Sequence, residues 1–170
     1  MNKSRKAKGN PLLLFTMGLD SNRHVIPGLN RGRLALFDDE GLIQRWVATS
    51  SYDKLQGIDD WNERGGIMPP TSAMPGMKYW EFHTRRLIRP GMEVDDGFLI
   101  TFDGATSYVT NTGARRSELM VHDDTNRTTN PGSFGCPVTM SKTEWDDFCR
   151  VILQSVSHLS AINMAVTYSW

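Results

Sequence analysis

Short segments in which apolar and polar residues alternate, separated by turn residues, make up most of the chain and predict β-strands. Residues 33–37 and 42–49 flank an Asp-Asp-Glu-Gly turn, which predicts a hairpin because Gly41 readily adopts positive φ. Between residues 52 and 76, prolines and glycines replace the alternation, so we expect loop and turn there and no central strand. Further strands are predicted at 77–88, 97–102, 107–110, 117–121 and 162–168.

One amphipathic helix is predicted near the C-terminus. Ser141 and Glu144 have the spacing of a capping box, in which each side chain satisfies a backbone donor at the start of a helix. The chain is therefore expected to form a mainly β domain with one packed C-terminal helix. Behind the capping residues an apolar stripe recurs with helical spacing: Trp145, Phe148, Cys149, Ile152, Val156 and Leu159.

The N-terminal segment is basic before it becomes apolar. This order resembles a secretory signal, but Pro11 opens the apolar run of residues 11–19 and no Ala-x-Ala-like cleavage site follows. We therefore identify no clear signal peptide and predict a solvated basic tail that leads into a first buried strand. The predicted division is a tail and lead-in over residues 1–24 and a single domain over residues 25–170. The cations that precede any acidic residue are Lys3, Arg5, Lys6 and Lys8.

Composition limits the classes of function. The 170-residue, 19.2 kDa chain holds nineteen basic and nineteen acidic residues, so its formal net charge is zero. A general electrostatic attraction to nucleic acid requires surplus Lys and Arg and is disfavoured. No apolar run reaches the ~20 residues of a membrane-spanning helix. Two cysteines cannot form a disulfide scaffold, so we expect a core held by packing.

The stretch from 121 to 140 contains the main candidate for chemistry. His122 ends an apolar strand, and Cys136 follows Gly135 after a polar loop. A thiol is mostly protonated near neutral pH, so a nucleophilic cysteine needs a neighbouring base, and His122 is the histidine nearest to Cys136 in sequence. Gly135 permits a tight turn that would direct the N–H groups of residues 135 and 136 at an oxyanion. The alternative for a lone cysteine is a buried structural thiol, which we favour for Cys149.

Together, His122, Ser133, Gly135 and Cys136 resemble the motif of the L,D-transpeptidase (YkuD-like) family, in which a histidine is followed, after a spacer, by Ser/Thr-His-Gly-Cys. The strands and the Gly/Pro-rich stretch upstream of the motif are similar to those of the family, so the resemblance covers about residues 30–155. It implies a β-sandwich or barrel-like domain of the L,D-transpeptidase type.

Two positions and the length of the spacer depart from the family's motif. Phe134 stands where the family carries histidine, and Val138 stands where it commonly carries arginine. The spacer between His122 and Ser133 is ten residues, which is short for the family. Phe134 would either contact substrate in the groove or pack beneath the catalytic loop, and we favour packing because apolar residues usually anchor tight loops.

The resemblance implies a cysteine-dependent enzyme that acts on peptidoglycan without a cofactor or a metal. Cys136 would attack a stem-peptide carbonyl and release a D-amino acid, with transfer to an amine giving transpeptidation and transfer to water giving carboxypeptidase or endopeptidase activity. His122 would act as base and then as acid, oriented by the carbonyl or carboxylate of Asp123. Arg115 and Arg116 are candidates for binding a substrate carboxylate, with solvated turn charges as the alternative.

Partners and location follow from the same resemblance. We expect peptidoglycan stem peptides as substrates, in the periplasm or cell wall, with delivery by a secretion apparatus or a phage and with an immunity protein as a further partner. The alternative is a non-catalytic peptidoglycan-binding or structural module of the same fold, for instance in a phage particle. A metal-dependent hydrolase using His122, Asp123 and Asp124 is disfavoured, because the sequence has neither an HExxH motif nor paired-histidine spacing.

Overall fold

The computed structural model describes residues 5–18, 32–50, 67–91, 94–113, 115–123 and 135–169. Within these ranges the chain forms ten strands, one α-helix, α1 (Lys142–Ser155), and two 3₁₀ turns at Thr71–Ala73 and Pro75–Met77. No helix in these ranges combines the length and apolar character needed to cross a membrane. The strands are β1 (Leu12–Gly18), β2 (Gly32–Asp38), β3 (Gly41–Thr49), β4 (Trp80–Ile88), β5 (Asp96–Thr101), β6 (Ser107–Val109), β7 (Arg115–Ser117), β8 (Met120–Asp123), β9 (Val138–Thr139) and β10 (Ala161–Ser169).

Eight of these strands close into a barrel in the order β1-β10-β4-β5-β8-β9-β3-β2, with β2 returning to β1. The β1–β10 and β8–β9 pairs are parallel, and the other neighbours in the barrel are antiparallel. β6 and β7 form a separate two-stranded sheet. The expected mainly β architecture with a single helix near the C-terminus is confirmed.

Hydrophobic alternation explains the strands that the sequence predicts. In β1, Leu13, Phe15 and Met17 are buried and alternate with half-buried positions, which confirms the first buried strand. This strand lies in the segment 1–24 that the sequence separates as a lead-in, and it pairs with both β2 and β10. The hairpin of β2 and β3 is also confirmed, and Gly41 at its turn has a φ of +110°.

Backbone conformation accounts for the strands that differ from expectation. The single strand predicted over 117–121 is wrong, because Glu118 has a φ of +54° and divides the segment into β7 and β8. The strand predicted from residue 77 begins at Trp80, because Met77 has a φ of +51° and ends a 3₁₀ turn. The two-residue β9 is too short to show alternation. The loop predicted between 52 and 76 holds the two 3₁₀ turns near its end, while residues 52–66 lie outside the described part of the chain.

The start of α1 contains half of the predicted capping box. Ser141 Oγ accepts a hydrogen bond from the backbone N–H of Glu144 at 3.2 Å, as expected. The Glu144 carboxylate does not return to the Ser141 backbone but accepts from the N–H of Val47, at 3.3 Å. Glu144 therefore connects the helix to β3 instead of completing the cap.

The apolar face of α1 completes an aromatic core. The ring of Phe148 lies 4.8 Å from that of Trp46 and 5.6 Å from that of Phe98, both in edge-on geometry, and stacks near Trp145 at 5.8 Å. The helix ends at Ser155, so the last two positions of the predicted stripe lie beyond it. Packing of α1 against β3, β4, β8 and β9 places the helix beside the strands that carry the candidate site.

The described part of the basic tail is held against the barrel. Arg5 forms a bidentate ion pair with Asp38, with 2.8 Å between Nη2 and Oδ1, and Lys8 Nζ lies 2.5 Å from Glu40. The hydrogen bond from Arg5, together with the backbone N–H groups of Lys8 and Glu40, holds the pKa of Asp38 well below its usual range. The N–H of Ala7 also donates to Ser155 O at 2.9 Å, which ties the tail to the end of α1.

Candidate active site

His122 occupies the end of β8, between two neighbouring strands. It pairs with Gly97 of β5 on one side and with Val138 of β9 on the other. Val121 points into the barrel core, so the alternation of a strand directs Met120 and His122 to the opposite face of the sheet. His122 is nevertheless only 4% exposed, so its ring is largely shielded from solvent.

A hydrogen bond to the next residue fixes the protonation pattern of the His122 ring. Nδ1 lies 2.7 Å from the backbone oxygen of Asp123. A carbonyl oxygen only accepts hydrogen bonds, so Nδ1 carries the proton, and in the neutral ring Nε2 carries the lone pair. Nε2 is therefore the nitrogen of His122 that can take a proton.

Cys136 lies alongside the same strand. The backbone N–H of His122 donates to the oxygen of Pro137 at 3.2 Å, and the N–H of Met120 lies 3.4 Å from Cys136 Sγ as a donor. Donation of a backbone N–H to sulfur favours a negative charge on the sulfur. The structure thus brings His122 and Cys136, which are separated by a loop in sequence, onto adjoining backbone segments.

Gly135 has the conformation that the sequence analysis expects. Its φ is +102°, a region that side-chain-bearing residues rarely adopt, and the residue is buried. The turn directly precedes the half-buried Cys136. A glycine is thus required where the chain approaches the thiol.

The other residues predicted for the site lie either outside the described part of the chain or on a different sheet. Ser133 and Phe134 lie outside the described residues. Arg115 is exposed and lies with Arg116 on β7, in the sheet that is separate from the barrel. Among the described residues, no hydrogen bond joins Arg115 to His122 or to Cys136.

Gly97 is a site residue that the sequence analysis missed. A Cβ on Gly97 would lie 2.8 Å from the backbone oxygen of Val121, 2.9 Å from Met120 Cε and 3.2 Å from His122 Cβ. These distances are shorter than ordinary contacts, so only glycine allows β5 and β8 to approach this closely beside His122. The available signal was a glycine at the start of a predicted strand, which often marks a close backbone approach.

Cys149 occupies a different environment from Cys136. It lines a pocket of about 880 Å³ between α1 and β4, together with His83, Arg86 and His158. Burial raises the pKa of the Cys149 thiol to about 12, although the charge of Arg86 acts in the opposite direction. Cys149 is therefore protonated near neutral pH, and none of the candidate catalytic residues lines this pocket.

Groups of three or more His, Cys, Asp or Glu side chains arranged to hold a metal ion do not occur in the described ranges. Asp124, the third member of the metal-site alternative, lies outside those ranges.

The described residues define a class: a closed eight-stranded β-barrel with one helix, in which His122 of β8 and the adjoining Cys136 form the candidate site. No protein-family model, curated protein or solved structure matches this chain. Function therefore has to be judged from the chemistry of these residues.

Proposed function

We propose that this chain is a cysteine-dependent enzyme that modifies peptidoglycan, attacking stem-peptide carbonyls through Cys136 and His122. The observation that carries the proposal is the hydrogen bond from His122 Nδ1 to Asp123 O, at 2.7 Å. It leaves Nε2 as the basic nitrogen, beside a chain segment that holds the only cysteine sulfur contacted by β8 among the described residues. A core histidine with a purely structural role would need no adjoining thiol.

The proposed reaction has two steps: the acyl group is first transferred to Cys136 Sγ and then to an amine or to water. Nε2 of His122 accepts the Sγ proton as Cys136 attacks the carbonyl carbon, and the carbonyl electron pair moves to oxygen. The N–H groups of Gly135 and Cys136 are the proposed donors to that oxyanion. Collapse of the intermediate expels the leaving amine, which takes the proton from His122, and a thioester on Cys136 remains. An amine or water then attacks the thioester and releases the free thiol.

The structure of β9 bears on the missing arginine of the L,D-transpeptidase motif. Val138 is fully buried and pairs with both His122 and Thr49, so an arginine there would bring a charge into the barrel sheet. Val138 is thus a structural residue of the barrel sheet and does not supply the positive charge of the family's motif.

The test compares product formation by matched variants. Purified stem-peptide fragments are incubated with the wild type and with Cys136→Ala, His122→Ala and Cys149→Ala, and the products are identified by mass spectrometry. We expect conversion by the wild type and by Cys149→Ala. Cys136→Ala should be inactive, and His122→Ala should lose roughly 10²–10⁴-fold in rate while keeping its circular dichroism spectrum.

Two outcomes contradict the proposal. Full activity in Cys136→Ala or His122→Ala would exclude the proposed pair. Absence of conversion by the wild type, combined with co-sedimentation of the protein with insoluble peptidoglycan, would favour the non-catalytic binding module instead.

A further inference from the structure

An arginine that the sequence analysis did not single out lies at the edge of the candidate site. Arg89 directly follows β4, and its backbone N–H donates to Asp95 O at 2.6 Å, which closes the hairpin between β4 and β5. Asp95 lies two residues before Gly97, the residue paired with His122. The hairpin therefore presents Arg89 next to the strand pair that carries the imidazole.

The side chain of Arg89 reaches the same face of the sheet as His122. Its Nη2 donates to Met120 Sδ at 3.1 Å, and Met120 Cε lies 2.9 Å from where a Cβ on Gly97 would be. The backbone N–H of Met120 is the group that contacts Cys136 Sγ at 3.4 Å. Met120 thus touches the guanidinium through its side chain and the thiol through its backbone.

The guanidinium of Arg89 lacks the carboxylate partner that Arg5, Arg86 and Arg150 have in the described part of the chain. Arg86 holds Asp96 in a bidentate ion pair, with 2.6 Å between Nε and Oδ1. Among the described residues Arg89 has no ion pair, its Nε is buried without a hydrogen-bond partner, and its Nη2 contacts only a thioether, which is a weak acceptor. The buried Nε is closed to a ligand, but the two terminal nitrogens of this half-buried guanidinium retain N–H donors for a carboxylate.

We propose that Arg89 binds a carboxylate of the acyl donor, close to the carbonyl that Cys136 attacks. The inference rests on the proposed function for the chemistry at Cys136 and adds a substrate requirement: a carboxylate near the reacting carbonyl. Arg115 and Arg116 are then not needed for this contact.

Two alkylating reagents that differ mainly in charge test the inference without requiring turnover. Iodoacetate carries a carboxylate and iodoacetamide a neutral amide, and in both the thiolate displaces iodide from the same carbon. The measured quantity is the iodoacetate-to-iodoacetamide rate ratio at Cys136, determined by peptide mass spectrometry and divided by the ratio for free N-acetylcysteine. We expect a normalised ratio of about ten, because one hydrogen bond to a charged group contributes roughly a tenfold preference.

Substitution then assigns the preference to Arg89. Arg89→Gln should bring the normalised ratio to about one, whereas Arg85→Gln, which changes an exposed arginine lining the α1–β4 pocket, should leave it at the wild-type value. If Arg89→Gln fails to fold, Arg89→Lys replaces it and should keep only part of the preference, because lysine is a point charge without the planar fork.

The inference is overturned by a wild-type ratio near one, by an unchanged ratio in Arg89→Gln, or by a Cys136 that neither reagent reaches. Its failure is separable from failure of the proposed function. If stem peptides are turned over but the normalised alkylation ratio is near one, the carboxylate site at Arg89 is disproved and the enzyme activity stands. If the ratio is raised and depends on Arg89 but no stem peptide is turned over, the anion site stands and the proposed enzyme activity is disproved.

Discussion

At the scale of single residues, the chemistry of His122 is determined by the next residue of its own strand and by a glycine of the neighbouring strand β5. The oxygen of Asp123 keeps the proton of the neutral ring on Nδ1, and the absence of a side chain at Gly97 leaves room for the Cβ of His122. His122 and Cys136 could be identified from the sequence because nucleophilic catalysis requires those residue types. Gly97 and Arg89 could not, because their proximity to the site depends on the register between β4, β5 and β8, which no local pattern specifies.

The close approach at Gly97 leads to a prediction for Gly97→Ala. The added methyl would meet the Val121 oxygen at 2.8 Å, so β5 and β8 must separate beside His122. We expect a loss of about 1–3 kcal/mol in the free energy of unfolding. We also expect slower alkylation of Cys136, because the displaced β8 carries the N–H that contacts its sulfur. Urea denaturation and timed iodoacetamide labelling measure the two effects.

Gly91→Ala is the matched control for this substitution. It adds the same methyl group to the β4–β5 hairpin, where nothing lies within 4 Å, although its φ of +84° makes alanine strained. It should lose about 1–2 kcal/mol of stability for that reason and leave Cys136 alkylation unchanged. Wild-type alkylation in Gly97→Ala would show that the spacing of β5 and β8 does not influence the thiol.

At the scale of elements, the strands and the helix were predictable wherever a segment was long enough to display its period. The apolar run of β1, the strand-like segments of β2 to β5 and the helical spacing in α1 gave the correct element types. Errors occurred where a single residue determined the outcome, as at Glu118, whose positive φ separates β7 from β8. The two residues of β9 form a strand only because β8 and β3 lie on either side of them.

The half-formed capping box gives a prediction about the start of α1. Ser141→Ala removes the acceptor for the Glu144 N–H and should lower the free energy of unfolding by about 1 kcal/mol. Thr143→Ala, at an exposed position in the first turn, should cause no loss, because alanine has the highest helix propensity. Chemical denaturation of both variants provides the comparison, and equal destabilisation would contradict a capping role for Ser141.

At the scale of the whole molecule, the basic tail and the β2–β3 hairpin form one pH-sensitive contact. The pKa of Asp38 is lower in the folded chain than its ordinary value near 4, so the contact stabilises the fold above that pH. As the pH falls below about 4, Asp38 takes up a proton in the unfolded chain before it does so in the folded chain, so this stabilisation is progressively lost as the pH approaches the lower pKa of the folded state. Wild type should therefore be more stable than Asp38→Asn at pH 7, and the difference should narrow in acid.

Thermal unfolding at pH 7 and at pH 3 measures this convergence. Asp103→Asn serves as control, because the exposed ion pair of Asp103 with Lys78 contributes little to stability. That variant should follow the wild type at both pH values. A constant difference between wild type and Asp38→Asn across this range would mean that the Asp38 carboxylate does not contribute through its charge.

The order of strands in the barrel also determines the order in which the protein can be completed during synthesis. β2 follows β1 closely and can pair with one edge of it early, but the other edge is matched only by β10, roughly 150 residues later. At about 5–20 residues per second, a ribosome needs on the order of ten seconds to supply that partner. Throughout this interval the strongly apolar β1 presents unpaired backbone groups to other nascent chains. Although β1 precedes the other described strands, it is thus enclosed only once β10 has been made, and its open edge needs shielding until then.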